Sequence, residues 1–229
     1  MSSPITLQDF HAKALADYGI HDLWPEAVLK EAKTKKEHIT KEIDALETFP
    51  FVTIDGEDAK DFDDAIFCEF SDHGFHLKVA IADVSFYVKE GSALDLEAAK
   101  RTTSVYMPRK VVPMLPEKLS NELCSLQPNK RRRCLCIEMD FDKDGYINSY
   151  KFHRGVIKSV ARLTYTEVEN QLINGVKDSD YAESLKAAIA LFNKLIINKG
   201  YRGALDFTIS EPFVQTNSCL LYTSDAADD

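Results

Sequence analysis

Through the middle of the chain apolar and polar positions alternate, and on either side they recur at helical spacing. "FPFVTI", ending at Ile54, is a short apolar, β-branched run of the kind that forms a strand. "AIFCEF" and "FHLKVAIADVSFYV" flank "SDHG", which predicts a β-hairpin. A helix is expected over Leu94 to Arg101. "RCLCIEMDFD" and "YINSYKFHRGVI" flank "KDG", a second hairpin signal. Residues 1–50 read as a helical, charged segment preceding this block. Thr6 and Asp9 have capping-box spacing before "FHAKALADYGI", and Pro25 stands at a helix start ahead of "EAVLKEAKTKKE". The mixed charges from Lys30 to Lys41 predict an exposed helix or linker, and Pro50 ends the segment. In the last third, Thr164 and Glu167 repeat the capping-box spacing before "VENQLI", with Gly175 as the stop. Leu185, Ile189, Leu191, Phe192, Leu195 and Ile196 then mark a helix ending at Gly200. The predicted class is α+β, a strand-rich and mostly antiparallel block with flanking helices.

Composition narrows this only a little. The 229 residues suit one large domain or two small ones. No apolar run approaches the roughly 18 residues of a membrane span, so no membrane partner is expected. "MSSPITLQDF" lacks the basic and apolar regions of a secretory signal. The five cysteines (Cys68, Cys124, Cys134, Cys136 and Cys219) fit neither a disulfide framework nor a zinc site. They read as reduced thiols of a cytoplasmic protein. A net charge of −9 argues by itself against a nucleic-acid binder, although distribution matters more than the sum. The one dense basic run, Lys130 to Arg133, reads as a solvated face in preference to a phosphate-contacting patch.

The charge is most concentrated in "TIDGEDAKDFDDA". Between Asp55 and Asp64 it places six acids (Asp55, Glu57, Asp58, Asp61, Asp63 and Asp64) and one base, Lys60. Either this is a solvated acidic loop or it is built around a cation. Asp55 ends the apolar strand, and a bend in the loop containing Gly56 is needed to bring Asp61, Asp63 and Asp64 back towards it. Carboxylates without Cys or His suit Mg²⁺ or Mn²⁺ better than zinc. Such clusters hold pairs of ions about 4 Å apart in many nucleases. "DFDKDG", from Asp140, imitates the start of a calcium-binding loop, but Lys151 stands where that loop needs a glutamate. It is expected to be a hairpin turn.

Four ordered stretches, "TIDGEDAKDFDDA", "VAIADVSFYV", "TSVYMPRKVVPMLPEKLSNELCSL" and "ARLTYTEV", closely resemble the catalytic RNB domain of the ribonuclease II/ribonuclease R family. "GIHDLWPEAV" resembles the segment before that domain, and "RGALDF" continues the pattern from Arg202. The resemblance runs from about Gly19 to Asn217, with residues 51–217 as the N-terminal half of the domain. It implies hydrolytic, processive 3′–5′ degradation of single-stranded RNA to 5′-mononucleotides, by a monomer. It assigns Mg²⁺ binding and catalysis to Asp55, Asp61, Asp63 and Asp64. Tyr106, in "SVYMP", matches a tyrosine that stacks on a base near the RNA 3′ end. Asp83 is carried as a candidate supporting the metal ligands from behind. Asn121, Cys124, Ser125 and Tyr165 are read as structural.

Cold-shock and S1 modules and the second half of the catalytic domain are expected to be missing from this chain, and the truncated chain is expected to be inactive alone. Residues 218–229, "SCLLYTSDAADD", do not resemble the family and are expected to be non-native. Two rival readings stay open, an RNA-binding module without catalysis and a domain merely stabilised by a cation.

Overall fold

The computed structural model describes residues 6–39, 44–205, 213–216 and 221–224. Its centre is a seven-stranded sheet of β1 (Asp44–Ala45), β2 (Val52–Asp55), β3 (Asp64–Ser71), β4 (Gly74–Ala82), β7 (Arg131–Asp142), β8 (Ile147–Lys158) and β9 (Ala161–Thr164). The spatial order is β1-β8-β7-β4-β3-β2-β9. Among the described residues only the pairs β1–β8 and β2–β9 are parallel. Both hairpins stand where the alternation placed them. At the second, Asp142 Oδ1 accepts from the amides of Asp144 and Tyr146, both at 2.9 Å, and Gly145 has φ +83°. The calcium-loop imitation is therefore a turn. Strands β5 (Val105–Met107) and β6 (Lys110–Val112) form a separate ribbon, and β10 (Phe213–Thr216) pairs with β11 (Leu221–Ser224).

Helices cover both faces, because alternate strand residues are apolar on both sides. Ala65, Phe67, Ala80, Cys134 and Cys136 point into one core. That core is shared with α2 (Glu26–Thr34), α4 (Ala93–Arg101) and the π-helical turn Lys118–Leu123. Cys68, Phe75 and Phe141 pack on the other side against Ala187 and Leu191 of α6 (Ala182–Tyr201). There Ser184 Oγ accepts the amide of Cys68 at 3.0 Å, serving a strand N–H from a helix. The capping boxes of α1 (Leu7–Asp17) and α5 (Tyr165–Asn174) are both present. Cys68, Cys124, Cys134 and Cys136 are free and buried. Among the described residues no helix is long and apolar enough to cross a membrane.

Three expectations are corrected. Residues 1–50 are not wholly helical, because β1 joins the sheet edge beside Gly155 and Val156. "DVSFYV" does not continue β4. Asp83 accepts the amide of Phe86 at 3.2 Å and caps the short helix α3 (Val84–Tyr87), so a local side-chain bond overrides β-branched propensity. Finally, the basic run is a solvated face only in its first half, Lys130 and Arg131, which are exposed. Arg132 and Arg133 are each 7% exposed. Arg132 donates to Ser125 O at 3.0 Å, and Arg133 donates to His38 O at 2.9 Å and stacks on Phe86. Their forks serve backbone carbonyls of other segments. Residues 40–43 and 206–212, and all of 218–229 except Leu221–Ser224, lie outside the described residues.

Phe51 is fully buried against Phe67, with ring centroids 6.1 Å apart. Phe51→Ala is expected to cost about 3–5 kcal/mol, read as a lower urea midpoint at unchanged slope. An unchanged midpoint would contradict this core.

Candidate functional site

Two antiparallel neighbours create the site. β2 delivers Asp55 at its end and β3 starts with Asp64, so both stand at one end of the sheet. Val52 pairs with Ile66, and continuing that register sets Asp55 opposite Asp63. The connecting loop is fixed from three directions. Phe62 is buried, its amide donates to Ser125 Oγ at 3.1 Å, and its carbonyl accepts from Leu126 N at 2.8 Å. The same Ser125 hydroxyl donates to Lys60 O at 2.8 Å. Asp63 O accepts from Ala82 N at 2.9 Å. From β9, Arg162 donates to Gly56 O at 2.6 Å and also reaches Glu57 O. Ser125 thus has the structural role read from the sequence. Arg162 was missed, because nothing local in "ARLTY" reveals a contact more than a hundred residues back.

The electrostatics separate this loop from an ordinary acidic turn. Burial pushes the carboxyl of Asp55 up, and Asp64, Asp61 and Asp63 push it further, against a smaller lowering by Arg162. Asp63 is raised first by the protein atoms crowding it and then by Asp61 and Asp64. Asp64 is raised by crowding. Water still reaches the side chains of Asp63 and Asp64. Asp55 Oδ2 is buried without a hydrogen-bond partner. Among the described residues no three His, Cys, Asp or Glu side chains converge tightly enough to ligate a metal. The four aspartates therefore share one field without forming a closed cage. An all-oxygen donor set with an unsatisfied buried carboxylate oxygen fits a hard divalent cation.

Tyr106 stands in this group although 45 residues separate it from Asp61. Its hydroxyl donates to Asp61 Oδ2 at 3.3 Å, and its ring is 67% exposed. The phenol is raised by burial and by Asp61. Asp83 is bound elsewhere: it caps α3, accepts from Ser85 Oγ at 2.8 Å and lies near Arg154 (3.5 Å) and Arg133 (3.9 Å). Cys124 is buried and its thiol is pushed up to about 12 by desolvation, which suits an inert core residue. Asn121 accepts Gln127 Nε2 through its backbone oxygen at 2.6 Å. Tyr165, read as structural, is 64% exposed and follows Thr164, which pairs with Asp55.

Known proteins resemble this chain in sequence and fold. A family profile described as RNB domain matches residues 43–225. Proteins named ribonuclease R are similar in sequence. One from Acidithiobacillus ferrooxidans is 44% identical over 202 residues, 85% of this chain and 46% of that protein. One from Escherichia coli is 44% identical over 208 residues, 86% of this chain and 26% of that protein. The chain thus spans less than half the length of these relatives. A Mycoplasma genitalium RNase R structure in complex with double-stranded RNA superimposes with a TM-score of 0.88 at 32% identity. It covers 95% of this chain and 40% of that one. Yeast Ssd1, a pseudonuclease, shares the fold with a TM-score of 0.60 at 22% identity over 69% of this chain and 19% of its own.

A carboxyl raised in the fold weakens stability at neutral pH, and the loss disappears as pH falls through its folded pKa towards the ordinary carboxylate value. Without divalent ions, Asp63→Asn is therefore expected to melt above the parent at neutral pH. The gap should close as the buffer is acidified, as followed by circular dichroism in EDTA. A lower melting temperature for Asp63→Asn at neutral pH would refute the repulsion described here.

Proposed function

We propose an activity from one premise: the chain belongs to the RNB family. The activity is hydrolytic 3′–5′ exoribonuclease action on single-stranded RNA, releasing 5′-mononucleotides processively and depending on Mg²⁺, or on Mn²⁺ in its place. The observation that carries it is the junction of Tyr106 with the acidic group through Asp61. One side of that junction suits phosphate chemistry through a cation, and the other suits a base.

Asp55, Asp61, Asp63 and Asp64 would hold the ions. When bound, such ions supply Lewis-acid stabilisation of the charge that develops as a phosphodiester is hydrolysed. The chain's own part is placement. The Ser125 and Phe62 anchors hold the loop that carries three of the four carboxylates. Arg162 fixes Gly56 and Glu57 through their carbonyls, which leaves the carboxylates free for ligation. The exposed ring of Tyr106 can stack on any base, which suits digestion without sequence preference. None of the six histidines lies within the acidic stretch, so no imidazole base is assigned. Free cysteines among the described residues support a reducing, cytoplasmic setting, and a monomer suffices for the site as built.

A second reading is RNA binding without cleavage. The fold shared with a pseudonuclease favours it, since fold alone does not carry activity. A gel assay with 5′-labelled single-stranded RNA separates the two. With Mg²⁺, cleavage would read as a ladder shortening from the 3′ end and abolished by EDTA. Asp63→Asn should slow it on the order of a hundredfold or more. RNA retained but uncut in Mg²⁺ would favour the second reading, and equal cleavage by Asp63→Asn would remove the aspartates from the site.

A further inference from the structure

Tyr106 rides on a ribbon that stands apart from the seven-stranded sheet, so something else must set its position. The segment entering the ribbon is strained. Thr102, a β-branched residue, caps α4 with φ +62°, a conformation that persists only when its surroundings enforce it. Contacts from three segments converge on the residue before it. The side chain of Arg101 is only 8% exposed. Its Nε donates to Glu97 at 2.9 Å, and its two terminal nitrogens donate to Pro113 O at 3.2 Å and to Leu23 O at 2.9 Å. Its guanidinium lies over the Trp24 ring, 3.6 Å from the centroid. One planar fork thus ties helix α4, the exit of the ribbon and the N-terminal arm together. The arm grips the ribbon's turn as well, through His11 Nε2 to Pro108 O at 2.9 Å and Lys110 to Asp22 at 2.7 Å.

We infer that Arg101 is a positioning residue for the base clamp: by locking the N-terminal arm onto the β5–β6 ribbon it sets where Tyr106 stands relative to Asp61. The inference rests on the reading of Tyr106 as a base-stacking residue. Lysine cannot replace the arginine. It keeps the charge but has no planar fork to reach two carbonyls and a carboxylate at once, or to stack on indole.

A double-mutant cycle tests this, because coupling distinguishes action through Tyr106 from general damage. The readout is affinity for a 5′-labelled single-stranded oligoribonucleotide in EDTA, where nothing is cleaved, together with melting temperature. Arg101→Lys is expected to weaken binding about fivefold or more, the low end of what one stacked base contributes. That loss should vanish when Tyr106 is already alanine, while any melting-temperature loss persists. Should Arg101→Lys fail to fold, Asp22→Asn, which releases the exposed outer tie to Lys110, is expected to give a smaller loss that also vanishes with Tyr106→Ala. Losses that add in the double variant would overturn the inference, as would unchanged affinity in a folded Arg101→Lys. If Tyr106→Ala alone leaves RNA affinity unchanged, the base-clamp reading fails first and this inference with it.

Discussion

Like charges a few ångström apart near a protein surface repel by energies comparable to a whole hydrogen-bond network. Holding Asp55, Asp61, Asp63 and Asp64 at one sheet end therefore needs anchors that do not themselves neutralise the carboxylates. The structure uses neutral ones. Ser125 accepts from one loop residue and donates to another, and Phe62 inserts as an apolar peg. Arg162, reaching the loop from β9, directs its donors to backbone carbonyls and lowers Asp55 less than burial and the neighbouring aspartates raise it. The loop is held in place while its charge is left over.

Elsewhere among the described residues the buried charges lie beside an opposite charge. Arg101 meets Glu97, Lys78 meets Glu138, and Arg133 lies within 3.9 Å of Asp83. Buried pairs of this kind contribute little net stability, because desolvation offsets much of the attraction. Removing one partner, however, strands the other. These pairs fix which segments meet more than how firmly they hold. The arm after α2, for instance, is met by Arg132 at Glu37 and by Arg133 at the His38 carbonyl. Against that background an acidic group with raised carboxyls stands out as a departure with a use.

What could be read from the chain follows the range of the forces involved. The β3–β4 and β7–β8 hairpins were legible because alternation and turn residues are local. Helices α5 and α6 were legible from caps and spacing for the same reason. Helix α3 was not, because "VSFYV" has strand composition and only the Asp83 cap decides otherwise. The burial of Arg132 and Arg133 was hidden, since a run of bases resembles solvated surface until its carbonyl partners are known. The acidic residues were conspicuous, and the resemblance supplied Tyr106. Ser125 was assigned only a generic structural role, and Arg162 none. Both act across more than 60 residues of chain, a separation at which local pattern carries no information.

The net charge of −9 finds its place here too. Nucleic acid approaches a chain of that sign against a repulsive field, and salt screens that field without reversing it. On the proposed reading, approach at the acidic end depends on prior neutralisation of the aspartates by divalent ions, since the bound phosphate would otherwise face the highest local density of like charge. Stacking on Tyr106 is different in kind. It acts on an uncharged base through an exposed ring and is nearly indifferent to the sign of the surroundings. The two contributions are joined in space by a single hydroxyl–carboxylate contact, yet they respond to different variables: the first to divalent ion concentration, the second to the placement of the ribbon.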